Sequence, residues 1–135
     1  MKTRKFQILI GFTILILAAL ACSGSVSTAN ISSAKMAADS EGTQETTIFA
    51  PDQTFYCIVE LANAPDDTRL KAVWTAAEVE GEEPNLLIDE VEMTAAEGNV
   101  FTFDLTNNGL WPVGKYKVDL YLNDELDRTL DFEVQ

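Results

Sequence analysis

From Thr46 to the C-terminus, apolar and polar residues alternate in short runs broken by turn-forming residues. A period of two marks strands with one buried face. The qualifying runs are Thr46–Phe49, Thr54–Leu61, Thr68–Val79, Leu86–Met93, Val100–Leu105, Lys115–Leu122 and Leu126–Val134. All four prolines lie between these runs, where a missing N–H costs no ladder bond. The alternation assigns an inner set: Phe55, Cys57, Val59 and Leu61; Leu70, Ala72 and Trp74; Phe101, Phe103 and Leu105; Tyr116, Val118, Leu120 and Leu122; Leu130, Phe132 and Val134. Short strands with no helical stretch between them predict an all-β, antiparallel seven-strand sandwich over residues 46–135.

Upstream the pattern changes twice. Lys2, Arg4 and Lys5 precede an uncharged run, Ile8–Ala21, and Cys22 closes it. A basic start, a short apolar run and a small-residue cleavage site read as a secretory signal peptide over residues 1–21. The run falls short of the roughly 20 residues that span a bilayer; an uncleaved N-terminal anchor is the other reading. Ser23–Glu45 holds Ser, Ala, Thr, Gly and Asn with no aromatic residue, and its only large apolar residues are Val26, Ile31 and Met36. Such a stretch buries too little to offset its ordering entropy, which predicts a flexible tether over residues 22–45, spanning roughly 25 Å on average. A weak helix over 33–38 is the alternative.

Composition narrows the function. The chain of 135 residues is the size of one domain. It has no histidine, which removes Ser-His-Asp and Cys-His catalysis and His-containing zinc sites. Its formal charge of −13 argues against nucleic acid as a partner, because phosphate contacts need Lys and Arg. Loss of residues 1–21 would leave six basic and 22 acidic side chains, a charge of −16. An anionic body is repelled by an anionic membrane surface, so membrane contact would come from a lipid alone.

Ala19-Leu20-Ala21-Cys22 resembles the lipobox of bacterial lipoproteins, in which the cysteine is acylated and becomes the mature first residue. Ala21 and Cys22 fit that pattern; Ala19 and Leu20 depart from its usual Leu and small residue. The resemblance implies lipidation at Cys22 and a membrane anchor on the outer side of the cell membrane or in an outer membrane. Ala19-x-Ala21 also suits ordinary signal peptidase and a secreted product.

Trp74 in the third run, with Leu110-Trp111-Pro112-Val113-Gly114-Lys115-Tyr116 entering the sixth, resembles immunoglobulin-like and fibronectin-type-III-like sandwiches. The resemblance implies a core Trp at Trp74 and a corner tyrosine at Tyr116, its hydroxyl bonded back to the preceding turn. Cys57 stands where the first immunoglobulin cysteine would be, but the partner position holds Val118. Cys57 is therefore expected as a buried small hydrophobe; a Cys22–Cys57 disulfide requires an unlipidated Cys22.

The acidic groups near 66–67, 78–83, 89–92 and 124–127 lack the calcium-loop pattern and read as solvated faces, with no cofactor implied. Trp111 caps the sandwich end or lies exposed, and Tyr56 and Tyr121 occupy outward positions; these three are the candidate surface contacts. Leu86-Leu87-Ile88 is apolar on both faces, which suits cover by the tether or another chain. The resulting expectation is a non-enzymatic, envelope-anchored binding or structural module with an unidentified protein or polymer partner. The alternative is a soluble secreted accessory domain that binds carbohydrate.

Overall fold

The structure, a computed structural model, describes residues 28–135. The signal peptide expected over residues 1–21, and Cys22, lie outside the described residues. Eight strands form two facing sheets: β1 (Asn30–Ala37), β2 (Ile48–Phe49), β3 (Phe55–Ala62), β4 (Arg69–Val79), β5 (Leu86–Thr94), β6 (Val100–Leu105), β7 (Gly114–Leu122) and β8 (Glu125–Val134). One sheet has the order β1-β3-β6 and the other β2-β8-β7-β4-β5. Each of the seven runs read from the sequence contains a strand. Their inner residues form the core: Phe55, Cys57, Val59, Leu70, Ala72, Trp74, Val118 and Leu120 are all fully enclosed.

Three expectations are corrected. The described residues form eight strands where seven were expected, because residues 30–37 add β1. The pairing is not wholly antiparallel, since β2 runs parallel to β8 with Ile48 opposite Glu133 and Phe49 opposite Val134. The tether reading of residues 22–45 also fails from residue 28 onward. Thr28 Oγ1 donates to the Asn63 carbonyl (3.1 Å), and β1 pairs antiparallel with β3 from Asn30 to Ala37. A register shift between Ile31 and Ser33 explains the misreading. The bulge adds a residue and resets the alternation, so the inward set is Ile31, Ala34 and Met36, which shows no simple period. Ile31 and Met36 are 5% and 3% exposed, so this segment buries side chains that its composition did not advertise.

The chain then changes sheets through residues 38–47. Asp39 fastens this loop, its carboxylate accepting from Gln44 N (2.8 Å), Thr43 N (3.1 Å) and Thr43 Oγ1 (2.5 Å). Those bonds, the Thr43 hydroxyl first, hold the Asp39 carboxyl below its ordinary value. The loop lies over the outer face of β3: a Cβ at Gly42 would sit 3.4 Å from Ile58 Cδ1.

Turn chemistry sets the remaining registers. Asn123 and Asp124 both have positive φ (50° and 69°), the two-residue geometry that matches strand twist in a hairpin. Gly114, at φ 149°, meets β4 so closely that a Cβ would lie 2.6 Å from Val79 Cα. Only glycine permits that approach.

Candidate functional site

Strand directions place the N-terminal entry and the Asn63, Gly98 and Asn123 turns at one end of the sandwich. The 80–85 and 106–113 connections and the C-terminus lie at the other, distal end. The distal end is filled by aromatic rings. Trp111 stacks on Phe55 with centroids 4.6 Å apart, Tyr116 stacks on Phe132 at 5.6 Å, and Phe49 meets Phe55 edge-on at 5.0 Å. Such pairs add about 0.5–1.5 kcal/mol each beyond their area burial.

This arrangement decides between the two readings of Trp111 in favour of the cap, and removes it as a surface contact. Trp111 is 8% exposed, its Nε1 donates to the Gln53 carbonyl (3.1 Å), and its backbone N–H donates to the Pro51 carbonyl (2.8 Å). It closes the sandwich end and offers no surface platform. The signal for this burial is non-local, because the partners lie on the β2–β3 connection. The other two candidates are not brought together. Tyr56 is half-buried on β3 of one sheet, and Tyr121 is half-buried on β7 of the other. Lys71 Nζ stands 4.8 Å from the Tyr121 ring centroid, part of a lattice of alternating charge on that outer face. Lys71 also pairs with Glu90 (3.2 Å), and Thr129 Oγ1 donates to Asp119 (2.5 Å).

The residues assigned by the immunoglobulin resemblance lie inside. Trp74 is fully buried on β4, edge-on to Phe132 at 6.0 Å. Tyr116 donates its hydroxyl to the Pro112 carbonyl at 2.5 Å. Burial, and secondarily the charge of Glu82, push its phenol up to about 12. Cys57 is a free, fully buried cysteine whose thiol burial pushes up to about 12. A thiol so protonated is a poor nucleophile. Among the described residues, no group of three or more Cys, Asp or Glu is placed to hold a metal ion.

What the sequence reading undervalued is the side of the sandwich flanked by β5 and β6. A cavity of about 190 Å³ opens at its distal end, lined by Val79, Leu86, Ile88, Trp111, Pro112 and Glu82 among others. Leu87 (58% exposed), Leu110 (70%) and Val113 (42%) are exposed and adjoin lining residues in sequence. Among the described residues, 28–45 do not cover Leu86 and Leu87, since they supply β1 at the far edge of the other sheet. The apolar run at 86–88 was visible; what leaves it open was not.

No protein-family model matches the chain, and no curated protein matches it in sequence. Solved structures do resemble it. An immunoglobulin-like protein from Pseudomonas aeruginosa superposes with a TM-score of 0.57 at 15% identity, covering 83% of this chain and 100% of that one. A mutant β-glucosidase from Listeria innocua in complex with laminaribiose gives a TM-score of 0.50 at 14% identity. It covers 80% of this chain but only 16% of the glucosidase. At these identities the likeness concerns fold alone. The described residues form an immunoglobulin-like β-sandwich.

Proposed function

We propose that the chain is an exported lipoprotein, acylated at Cys22, that presents a non-catalytic immunoglobulin-like binding module on the outer side of a membrane. The observation that carries the anchor is the lipobox-like Ala19-Leu20-Ala21-Cys22 after an uncharged apolar run, and the first described residues add an orientation to it. Thr28 is already bonded to the Asn63 turn, so only residues 23–27 separate it from Cys22. Five residues reach at most about 20 Å. An acyl anchor at Cys22 would therefore hold the Asn63 end toward the bilayer and turn the distal end, with Leu110 and Val113 exposed, away from it. The domain would sit close to the membrane with a defined orientation instead of floating on a long spacer.

Burial of Cys57 argues against a Cys22–Cys57 disulfide, because the thiol is fully enclosed between the sheets. The carbohydrate-binding alternative loses support from the same geometry: Trp111 is buried, and Tyr56 and Tyr121 lie on different sheets. Intact mass of the mature protein, taken from membrane and soluble fractions beside Cys22→Ala, tests the reading. A membrane-bound species that begins at Cys22 and carries acyl mass, lost in the variant, is expected. An unmodified soluble species overturns it and favours the secreted accessory domain.

A further inference from the structure

The β5 strand has a neighbour on one side only. Among the described residues it ends the five-stranded sheet and is bonded to β4 alone, which leaves its outward backbone groups as an open edge. Sheet edges are usually blunted by charge, bulges, Pro or a covering segment. β5 has a register shift beside Ile88 and the carboxylates Asp89, Glu90 and Glu92 in its second half, whereas its first half, Leu86–Ile88, has neither charge nor Pro, and nothing among the described residues covers Leu86 and Leu87. A pocket for side chains adjoins it, formed by Leu86, Ile88 and Val79.

Charge decides what the edge accepts. Between Lys71 and Lys115 the chain has nine carboxylates and no cation. Of those nearest the edge, Glu90 is paired with Lys71, and Asp89 accepts the Glu90 N–H (2.8 Å). Glu80, Glu82, Glu83 and Glu92 are exposed and have no ion pair among the described residues. Two copies joined edge to edge would set Asp89, Glu90 and Glu92 against their own kind, and like charges opposite one another destabilise a strand pair. We infer that β5 is a docking edge for an extended peptide segment of a partner protein, one that alternates apolar and cationic residues. The backbone of such a segment would complete the ladder, with one apolar side chain in the Leu86–Ile88 pocket and Lys or Arg side chains against Glu82 and Glu92. The inference deepens the binding-module reading and does not depend on the anchor.

The test uses the full chain in detergent. It is titrated with a capped nonapeptide alternating leucine and lysine, and with its leucine–glutamate counterpart, while amide hydrogen exchange is mapped. Expected are binding of the lysine peptide alone, slowed exchange within 86–94, and at least tenfold weaker binding by the surface variant Glu82→Lys/Glu92→Lys. Circular dichroism establishes that this variant is folded. Absence of binding, equal affinity for the variant, or protection mapping to β6 or β1 overturns the inference. Binding that maps elsewhere leaves the module reading standing, and failure of that reading shows separately in the Cys22 mass.

Discussion

The two sides of the sandwich are finished differently. On one side, residues 28–49 supply β1 to the free edge of β3 and β2 to the free edge of β8. The segment thus closes two sheet edges in a single passage. Arg128 Nη2 on β8 donates to the Ile31 carbonyl on β1 (2.9 Å), joining the sheets at the bulge. Glu133 N and Gln135 N bond to the carbonyls of Thr47 and Phe49 (2.9 and 3.0 Å). On the other side, β5 and β6 each end a sheet with no such segment among the described residues, and Leu87 and Val100 stand exposed there. The comparison teaches that edge protection here comes from chain that looks like a linker, and that it is applied to one side only.

Substitutions should separate along this division. Trp111→Ala, which removes the ring stacked on Phe55, is expected to cost about 3–5 kcal/mol in urea unfolding. A loss below about 0.5 kcal/mol, the usual size of a surface change, would return the indole to the surface. On the closed side, Met36→Ala should cost about 2–4 kcal/mol, as for a buried core side chain. A tether residue would show almost none of that. Arg128→Ala leaves the Ile31 carbonyl without its partner from the other sheet and should cost about 1 kcal/mol. On the open side, Leu87→Ser should change stability by less than about 0.5 kcal/mol while weakening peptide binding.

A pH experiment addresses the core between the two sides. The Cys57 thiol stays protonated up to about 12 in the fold, against an ordinary value of 9.0. The unfolded chain loses its proton first, so stability is intact below pH 9 and declines as pH rises toward 12. Cys57→Ala should flatten that decline without abolishing it, because Tyr116 ionises late for the same reason, near 12 against 10.0. An unchanged alkaline slope in the variant would mean that Cys57 is not enclosed.

Much of this architecture is legible in the sequence because β3, β6 and most of β7 bury one face and alternate with a period of two, while β4, β5 and β8 keep that alternation over part of their length. Phe101, Phe103 and Leu105 announce β6, and Tyr116, Val118 and Leu120 announce β7. β1 escapes detection for a local reason: the bulge at Ser32 breaks the phase, and Ser, Ala and Lys dominate its positions. For Trp111 the sequence leaves capping and exposure both open, and the choice is non-local, since its burial depends on Phe55 and Gln53. The open edge at β5 is a property of strand order, and order is set by which strands pair across the whole chain. The residues Leu86, Leu87 and Glu92 are plain in the sequence; their lack of a neighbour is visible only in the fold.

Amide hydrogen exchange on the unliganded full chain tests the difference between the two sides most directly. Amides of Ile31–Ala37 that bond to β3 should exchange as slowly as those of β3 itself, and the β5 amides that face away from β4 should exchange fast. Rapid exchange throughout residues 28–37 would contradict this account by returning the segment to a tether. Slow exchange along the outer edge of β5 would contradict it by showing that edge already covered.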